Sequence, residues 1–433
     1  MTPLEAGGWG IAALLLLFFT GMPVAYAMAL VGFAGFAYVI HPNAALNLLS
    51  REIYSVFSSY GLTVIPLFIL MGQIAFNAGI SRRLYDCAYK WLGALRGGLA
   101  MATVAACTAF GTVCGSSPAT AATMAVVGLP EMRRYGYGKA LAAGSVAAGG
   151  SLGMLMPPSV VMIVYGILTE QSIGRLFTAC IVPALYVTVW FLAAVWFHCR
   201  RHPDAGPAAE RFPWRERLVA LGELWETLLV FGLVMAGLLT GFFTPTEAGG
   251  VGAFLMLAVA VAARQITWKG VVKSLYETVR TSCMVLLLIA GAVIFGRFLA
   301  VTRIPFEMAT WVGDLDLPRW AVMTLIVGMY LLGGCFIDAL ALVMLTIPIF
   351  YPIVLGLGYD PLWFGVIIVL ITQMGVITPP VGINVYVVNG IAREIPLQTI
   401  FRGVLPFLGA LVLGTLSLIA FPQIVTFLPR LLF

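Results

Sequence analysis

The sequence predicts an all-α polytopic membrane protein made of two inverted repeats, each with about five crossings and one re-entrant helical hairpin. Three observations carry this. Of the 433 residues, 61% are hydrophobic and 10% charged, whereas an ordinary soluble domain is about 45–50% apolar and about 25% charged. Apolar runs at 9–40, 55–80, 175–197, 224–243, 246–263, 279–300, 361–391 and 403–428 are long enough for helices crossing a hydrocarbon core of about 30 Å; a barrel would show alternating segments of roughly ten residues. Two segments 222 residues apart, GMLMPPS (153–159) and GVITPPVGIN (375–384), share one Gly-x-x-x-Pro-Pro pattern.

At the N-terminus, LLLLFF followed by AYA has the look of a secretory signal, but a signal begins with positive charge. The only charge before Arg51 is Glu5, so this stretch is expected to be retained structure. With the N-terminus outside, 18 of the 24 basic residues fall in cytoplasmic loops, as the positive-inside rule requires. The net charge of +6 is thereby accounted for without a nucleic-acid partner. Seven cysteines, at 87, 107, 114, 180, 199, 283 and 335, include no CxxC pair, and the three histidines are not clustered. Neither a disulfide framework nor a zinc site is supported.

The stretch 97–132 has arms of about 17 and 13 residues around GSSP, or roughly 25 and 20 Å. Both are short for a span, so a re-entrant hairpin is expected, with its tip near the midplane. The counterpart in the second half is 319–353, with its tip at GGCFID. Turn backbone at that depth cannot face lipid, because each unsatisfied amide or carbonyl costs several kcal/mol. It must line a cavity within the protein.

In each Gly-x-x-x-Pro-Pro segment the second proline brings no amide and excludes the residue before it from helical geometry. The helix opens and frees carbonyl oxygens, which are ligands for a hard cation. Gly153 and Gly375 permit close approach of backbone, and Thr378 adds a hydroxyl. Each break is expected to face the hairpin tip of its own half, giving two related cation sites. Half-helices beginning after Ser159 and Val381 would offer amides to an anionic substrate.

The same offset sets YGYG (135–138) over LGYD (357–360) and Pro23 over Pro245; with a few residues of slack, GSSPAT from Gly115 faces GCFIDA from Gly334. The expected organisation is a first repeat at 1–199, with hairpin 97–132 and broken helix 137–168, a cytoplasmic connector at 200–217, and a second repeat at 218–433. The second repeat carries hairpin 319–353 and broken helix 361–391. An odd number of crossings per repeat inverts the second copy, a construction shared by secondary transporters. Asp338, the one acid at a hairpin tip, is a functional candidate as an intramembrane acid, or a cap for the arm after it. Arg297 either binds a substrate carboxylate or snorkels. Glu247 is expected to cap its helix.

GTVCGSSPATAA, PEMRRYGY, GMLMPPSVVMIVYG, FIDALALVMLTIPIFYPIV and GVITPPVGINVYVV together resemble the large membrane subunit of tripartite ATP-independent periplasmic (TRAP) transporters, over nearly the whole chain. The resemblance implies a sodium-coupled, elevator-type transporter in the bacterial inner membrane. Its partners would be a small four-helix membrane subunit, expected as a separate polypeptide, and a periplasmic binding protein that delivers an organic acid. The implied sodium ligands are Cys114, Gly115, Ser116 and Ser117 with Gly153, Met156 and Pro157, and Gly334 and Asp338 with Gly375, Thr378 and Val381. Similar sequences often have Ser at position 114; a thiol is a poor sodium ligand, so Cys114 would act through its carbonyl. Ser117, Ser159 and Asn384 are the substrate-binding candidates.

The expected function is uptake of a small organic anion, a carboxylate, driven by the sodium gradient and without an ATP step, since nothing matches GxxxxGK[ST]; no cofactor is needed, and the protein is not expected to be an enzyme. An intramembrane aspartyl protease would need a second acid at membrane depth beside Asp338. A passive channel would be expected to carry its filter in a symmetric pore-lining element. Proton coupling through Asp338 is the nearer alternative.

Overall fold

The computed structural model describes residues 2–314 and 318–433, and every regular element among them is a helix. Six helices are long and apolar enough to cross a membrane, or seven if the bent pair Trp214–Gly222 and Trp225–Leu239 forms one span. The chain is a multi-pass membrane protein. Several apolar runs prove to be interrupted. The run 9–40 divides at Gly21 (φ +78°) and Pro23 into Pro3–Phe19 and Val24–Val39, because left-handed glycine ends one helix and proline opens the next. The run 403–428 likewise divides near Pro422 into Leu397–Ala420 and Gln423–Leu432.

The helices fall into two packed groups. In the first, the 34-residue helix Trp268–Val301 runs along Val24–Val39 and Val64–Asn77, and Pro245–Ala262 packs on Val64–Asn77 and Trp225–Leu239. Glycine makes this approach possible: a Cβ at Gly291 would lie 2.3 Å from the Ala25 carbonyl oxygen, and one at Gly32 would lie 2.7 Å from the Phe295 backbone. Small residues bring membrane helices to such distances. Glu247 caps Pro245–Ala262 in a capping box with Thr244, as expected.

The second group contains two helical hairpins and two broken helices, flanked by Ile173–Arg201 and Leu397–Ala420. The first hairpin is Gly98–Cys114 and Ser117–Arg134, the second Arg319–Gly334 and Ala339–Gly356. Their outer arms run slightly beyond the expected ends at 132 and 353. Ala339–Gly356 is itself long and apolar enough to span. The first broken helix is Lys139–Ser151 followed, after the Pro157–Pro158 break, by Val160–Leu168; the second is Pro361–Gly375 followed by Ile383–Ile391. The latter restarts at Ile383, two residues after Val381, with Gly382 (φ +60°) as its N-cap. Gly144 and Gly403 bring Lys139–Ser151 against Leu397–Ala420.

The stretch expected to be a connector is shorter than 200–217 and is tied down. Ile173–Arg201 enters it and Trp214–Gly222 begins within it. Between them, Ala205 and Gly206 accept backbone hydrogen bonds from Gly138 and Gly97, and the Ala209 amide donates to the Gly93 carbonyl.

The amphipathic helix Ile80–Leu92 links the first group to the first hairpin. At its start Arg83 forms a two-pronged pair with Glu226 (2.7 and 3.2 Å) and donates to Gln265 (2.8 Å), which itself donates to Glu226 (2.6 Å). Glu226 is buried. Removing one partner of such a pair costs roughly 3–5 kcal/mol, because the other charge is stranded. We expect Glu226→Ala to lower the thermal unfolding midpoint in detergent well below wild type, and Arg83→Met/Glu226→Leu to recover most of the loss.

Candidate functional site

Proline at 157 and 158 withholds the amides that would serve the carbonyls of Gly153 and Met154, four residues earlier in a helix. Proline at 379 and 380 does the same to Gly375 and Val376. Both Pro–Pro peptides are cis. Three of these carbonyls find other partners: Met154 accepts from the Ser159 hydroxyl, Gly375 from the Thr378 amide at 3.0 Å, and Val376 from the Asn384 amide at 3.1 Å.

Each break lies against the hairpin tip of its own half. A Cβ on Gly153 would come within 2.3 Å of Thr120 Oγ1 and 2.9 Å of the Ser116 carbonyl oxygen; one on Gly375 would lie 2.4 Å from the Gly334 carbonyl carbon. Gly115, at φ +62°, turns the first tip so closely onto the break that a Cβ there would meet the Pro158 carbonyl oxygen at 2.4 Å. An amide just beyond each Pro–Pro pair then closes the junction. Val160 N–H donates to the Gly115 carbonyl (3.5 Å), and Val381 N–H to the Cys335 carbonyl (3.3 Å). The two junctions differ in surroundings: Pro157 and Pro158 are buried, Pro379 and Pro380 exposed.

Both tips also border one cavity of about 320 Å³, closed on its far side by the first helix group. Cys114, Gly115, Ser116 and Ser117 line it from the first hairpin, and Asp338 with Ala339 and Leu340 from the second. Ile69, Gly72, Gln73, Thr281, Met284 and Val285 form the opposing wall. Gly72 sits where a Cβ would lie 2.9 Å from the Val113 carbonyl oxygen and 3.1 Å from Cys114 Cα. The starts of Ser117–Arg134 and Ala339–Gly356 both reach this space, and helix starts carry partial positive charge. Asp338 is the one charged side chain on the described wall, and it caps its helix by accepting from Leu340 N–H at 3.0 Å.

Other expected ligands have side chains engaged elsewhere. Cys114 Sγ contacts the Ser116 carbonyl at 3.8 Å, and Thr378 donates back to Met374 at 2.6 Å. Gly153, Met156 and Pro157 are buried behind the first tip. Ser159 is a helix cap, fully buried, that accepts from Met162 N–H and donates to Met154. Asn384 is also fully buried: it accepts from Ser117 Oγ and donates to the Ala147 carbonyl, both at 2.9 Å. Ser159 and Asn384, expected to touch substrate, are hydrogen-bonded within the protein here and are not among the residues lining this cavity. Arg297 pairs with the buried Glu52 at 3.1 Å, away from the cavity. Reading the sequence missed Gln73 and Thr281 on the opposing wall; a glutamine inside an apolar helix was the available signal for the first.

The family described as "Tripartite ATP-independent periplasmic transporter, DctM component" matches residues 11–424. The chain is 36% identical to the C4-dicarboxylate TRAP transporter large permease protein DctM of Pseudomonas aeruginosa, over 88% of this chain and 87% of that protein. It is 32% identical to the sialic acid TRAP transporter large permease protein SiaM of Vibrio cholerae, covering 96% of each. It is 33% identical to the isethionate TRAP transporter permease protein DctMQ of Oleidesulfovibrio alaskensis, over 92% of this chain and 62% of that one. Among solved structures, the Alcanivorax borkumensis YdaH transporter has the same fold, with a TM-score of 0.65 at 17% identity, covering 88% of this chain and 90% of that one. The family match over 11–424 and relatives more than 30% identical over most of the chain agree: the chain belongs to the TRAP transporter family, as its DctM-type large permease component, and is a transport protein rather than an enzyme.

Proposed function

We propose that this chain carries a small organic anion inward across the bacterial inner membrane, coupled to sodium. Its proposed partners are a small four-helix membrane subunit and a periplasmic binding protein. The observation that carries this reading is the cavity's charge. An anion there meets two helix starts and the carboxylate of Asp338, with no lysine or arginine on the described wall. Helix starts favour an anion by only about 0.3–1 kcal/mol each when exposed, and up to about 2 kcal/mol when partly buried. A hard cation beside the tips supplies the missing positive charge, and backbone carbonyls with hydroxyls are ligands suited to one.

In this reading the first sodium site is formed by the tip at Cys114–Ser117 with Gly153, Met156 and Pro157, and the second by Gly334 and Asp338 with Gly375, Thr378 and Val381. Both use carbonyl oxygens, so the half-buried Cys114 thiol is no obstacle. The two halves are inverted repeats, which the matching tip-to-break junctions support. Alternating access is elevator-like: the hairpin group moves against the group built around Trp268–Val301, taking the cavity from one membrane face to the other. Ser116 and Ser117 then travel with the substrate, whereas Gln73 and Thr281 contact it only on one side.

Three outcomes follow in proteoliposomes containing the permease, its small subunit and its binding protein, assayed with radiolabelled succinate, sialic acid and isethionate. At least one of the three is expected to accumulate only under an inward sodium gradient; accumulation unchanged when choline replaces sodium would sink the sodium reading. Gly375→Ala forces a Cβ into the second tip, overpacking that costs roughly 1–3 kcal/mol, and is expected to lower uptake about tenfold or more. Gly409→Ala, where a Cβ would meet nothing within 4 Å, should transport normally. Asp338→Asn keeps a capping side chain, so the protein should fold while requiring more sodium for half-maximal uptake. Loss of coupling to a proton gradient in that variant, with sodium irrelevant throughout, would instead favour proton coupling.

A further inference from the structure

Ser151 and Gln373 occupy the same place in the two halves, 222 residues apart, and they bond to each other: Gln373 Nε2 donates to Ser151 Oγ at 2.8 Å. Both side chains are fully buried. Each stands two residues ahead of the glycine that seats its own break on a hairpin tip, Gly153 or Gly375. A second buried bridge lies alongside, in which Asn384 accepts from Ser117 at the first tip, donates to Ala147 in the first broken helix, and donates its backbone amide to Val376 in the second break. The first tip, the first broken helix and the second break are thus one hydrogen-bonded unit.

We infer that the Ser151–Gln373 bond makes the two cation sites cooperative, with Gln373 acting as a positioning residue that touches neither ion. This rests on the sodium reading above. A cation held by carbonyls of one break fixes how that break lies on its tip. Two residues away, the Ser151–Gln373 bond fixes the other break relative to the first. In a low-dielectric interior such a bond is stiff and has no water to exchange with. The second ion then meets a break already ordered by the first, which is positive cooperativity.

The bond can be removed without stranding a donor. Ser151 already donates to the Ala148 carbonyl, and Gln373 Oε1 is buried with no partner, so Gln373→Met deletes an unsatisfied acceptor together with the bridge. Replacement of both partners by apolar groups of similar shape is close to neutral for stability, which makes Ser151→Ala/Gln373→Met the second test variant.

The experiment measures binding of radiolabelled sodium to the full chain in lipid nanodiscs by scintillation proximity, with choline holding ionic strength constant. Wild type is expected to bind sigmoidally. Both variants, with thermal unfolding midpoints near wild type, are expected to bind with a Hill coefficient falling toward unity and a half-saturating sodium concentration raised about fivefold, the worth of one net hydrogen bond. A purely structural bond would shift the unfolding midpoint and leave the Hill coefficient alone. Variants that keep the wild-type Hill coefficient overturn the inference while leaving the sodium reading intact. Wild type that binds no sodium overturns both.

Discussion

The arrangement depends on one constraint: a backbone opened in the middle of an apolar protein must find partners for its amides and carbonyls. Two prolines in succession guarantee such an opening. The protein answers it in the same way twice, by folding a hairpin back so that its tip carbonyl accepts an amide just beyond the break. Gly115 and Gly153 in one half, and Gly334 and Gly375 in the other, are needed because these junctions are backbone against backbone. A side chain at any of the four would hold the two chains apart and leave polar groups exposed at a depth where water is scarce.

From that constraint the chemistry follows. Backbone that is satisfied only by other irregular backbone is also backbone that can exchange one partner for an ion. The two tips that close the breaks deliver two helix starts to one space, and that space holds a single acid. Among the described residues, the site therefore has polarity without a fixed positive side chain. In the proposed reading, an anion and its counterion would complete each other's environment there, so either alone would bind weakly and the two fluxes would be tightly coupled.

Much of this was legible in the sequence, because the features that create it are covalent. Proline pairs, tip glycines and their common offset name the breaks and the hairpins before any contact is known, and the glycine-to-tip packing is where the pattern places it. Side-chain partners were less legible. Ser159 and Asn384 sit at half-helix starts, but that they are hydrogen-bonded within the protein and absent from this cavity's lining depends on a side-chain rotation the sequence does not encode. Gln73 and Thr281 belong to helices whose apolar pattern gives no hint of which neighbour they face. Ser151 and Gln373 carried a signal that is clear only in retrospect: polar residues at matching positions in two apolar helices. The interruptions at Gly21 and Pro422 were also present as residues, yet hydropathy averaged over a window passes across them.

The two links between the helix groups run side by side. Ile80–Leu92 leads into the first hairpin, and Trp214–Gly222 leads back out; Trp91 donates its indole N–H to the Arg217 carbonyl and packs edge-on against Trp214 at 5.8 Å. At one end they are clamped by Arg83 and Glu226. At the other, the segment around Ala205 is stitched to Gly97 and Gly138, both of which begin helices of the hairpin group. The links therefore behave as a single crank rather than two slack tethers. Any displacement of the hairpin group has to be absorbed at the joints that flank them, Gly79 and the 47° bend between Gly222 and Trp225, and stiffening either joint would brake the other.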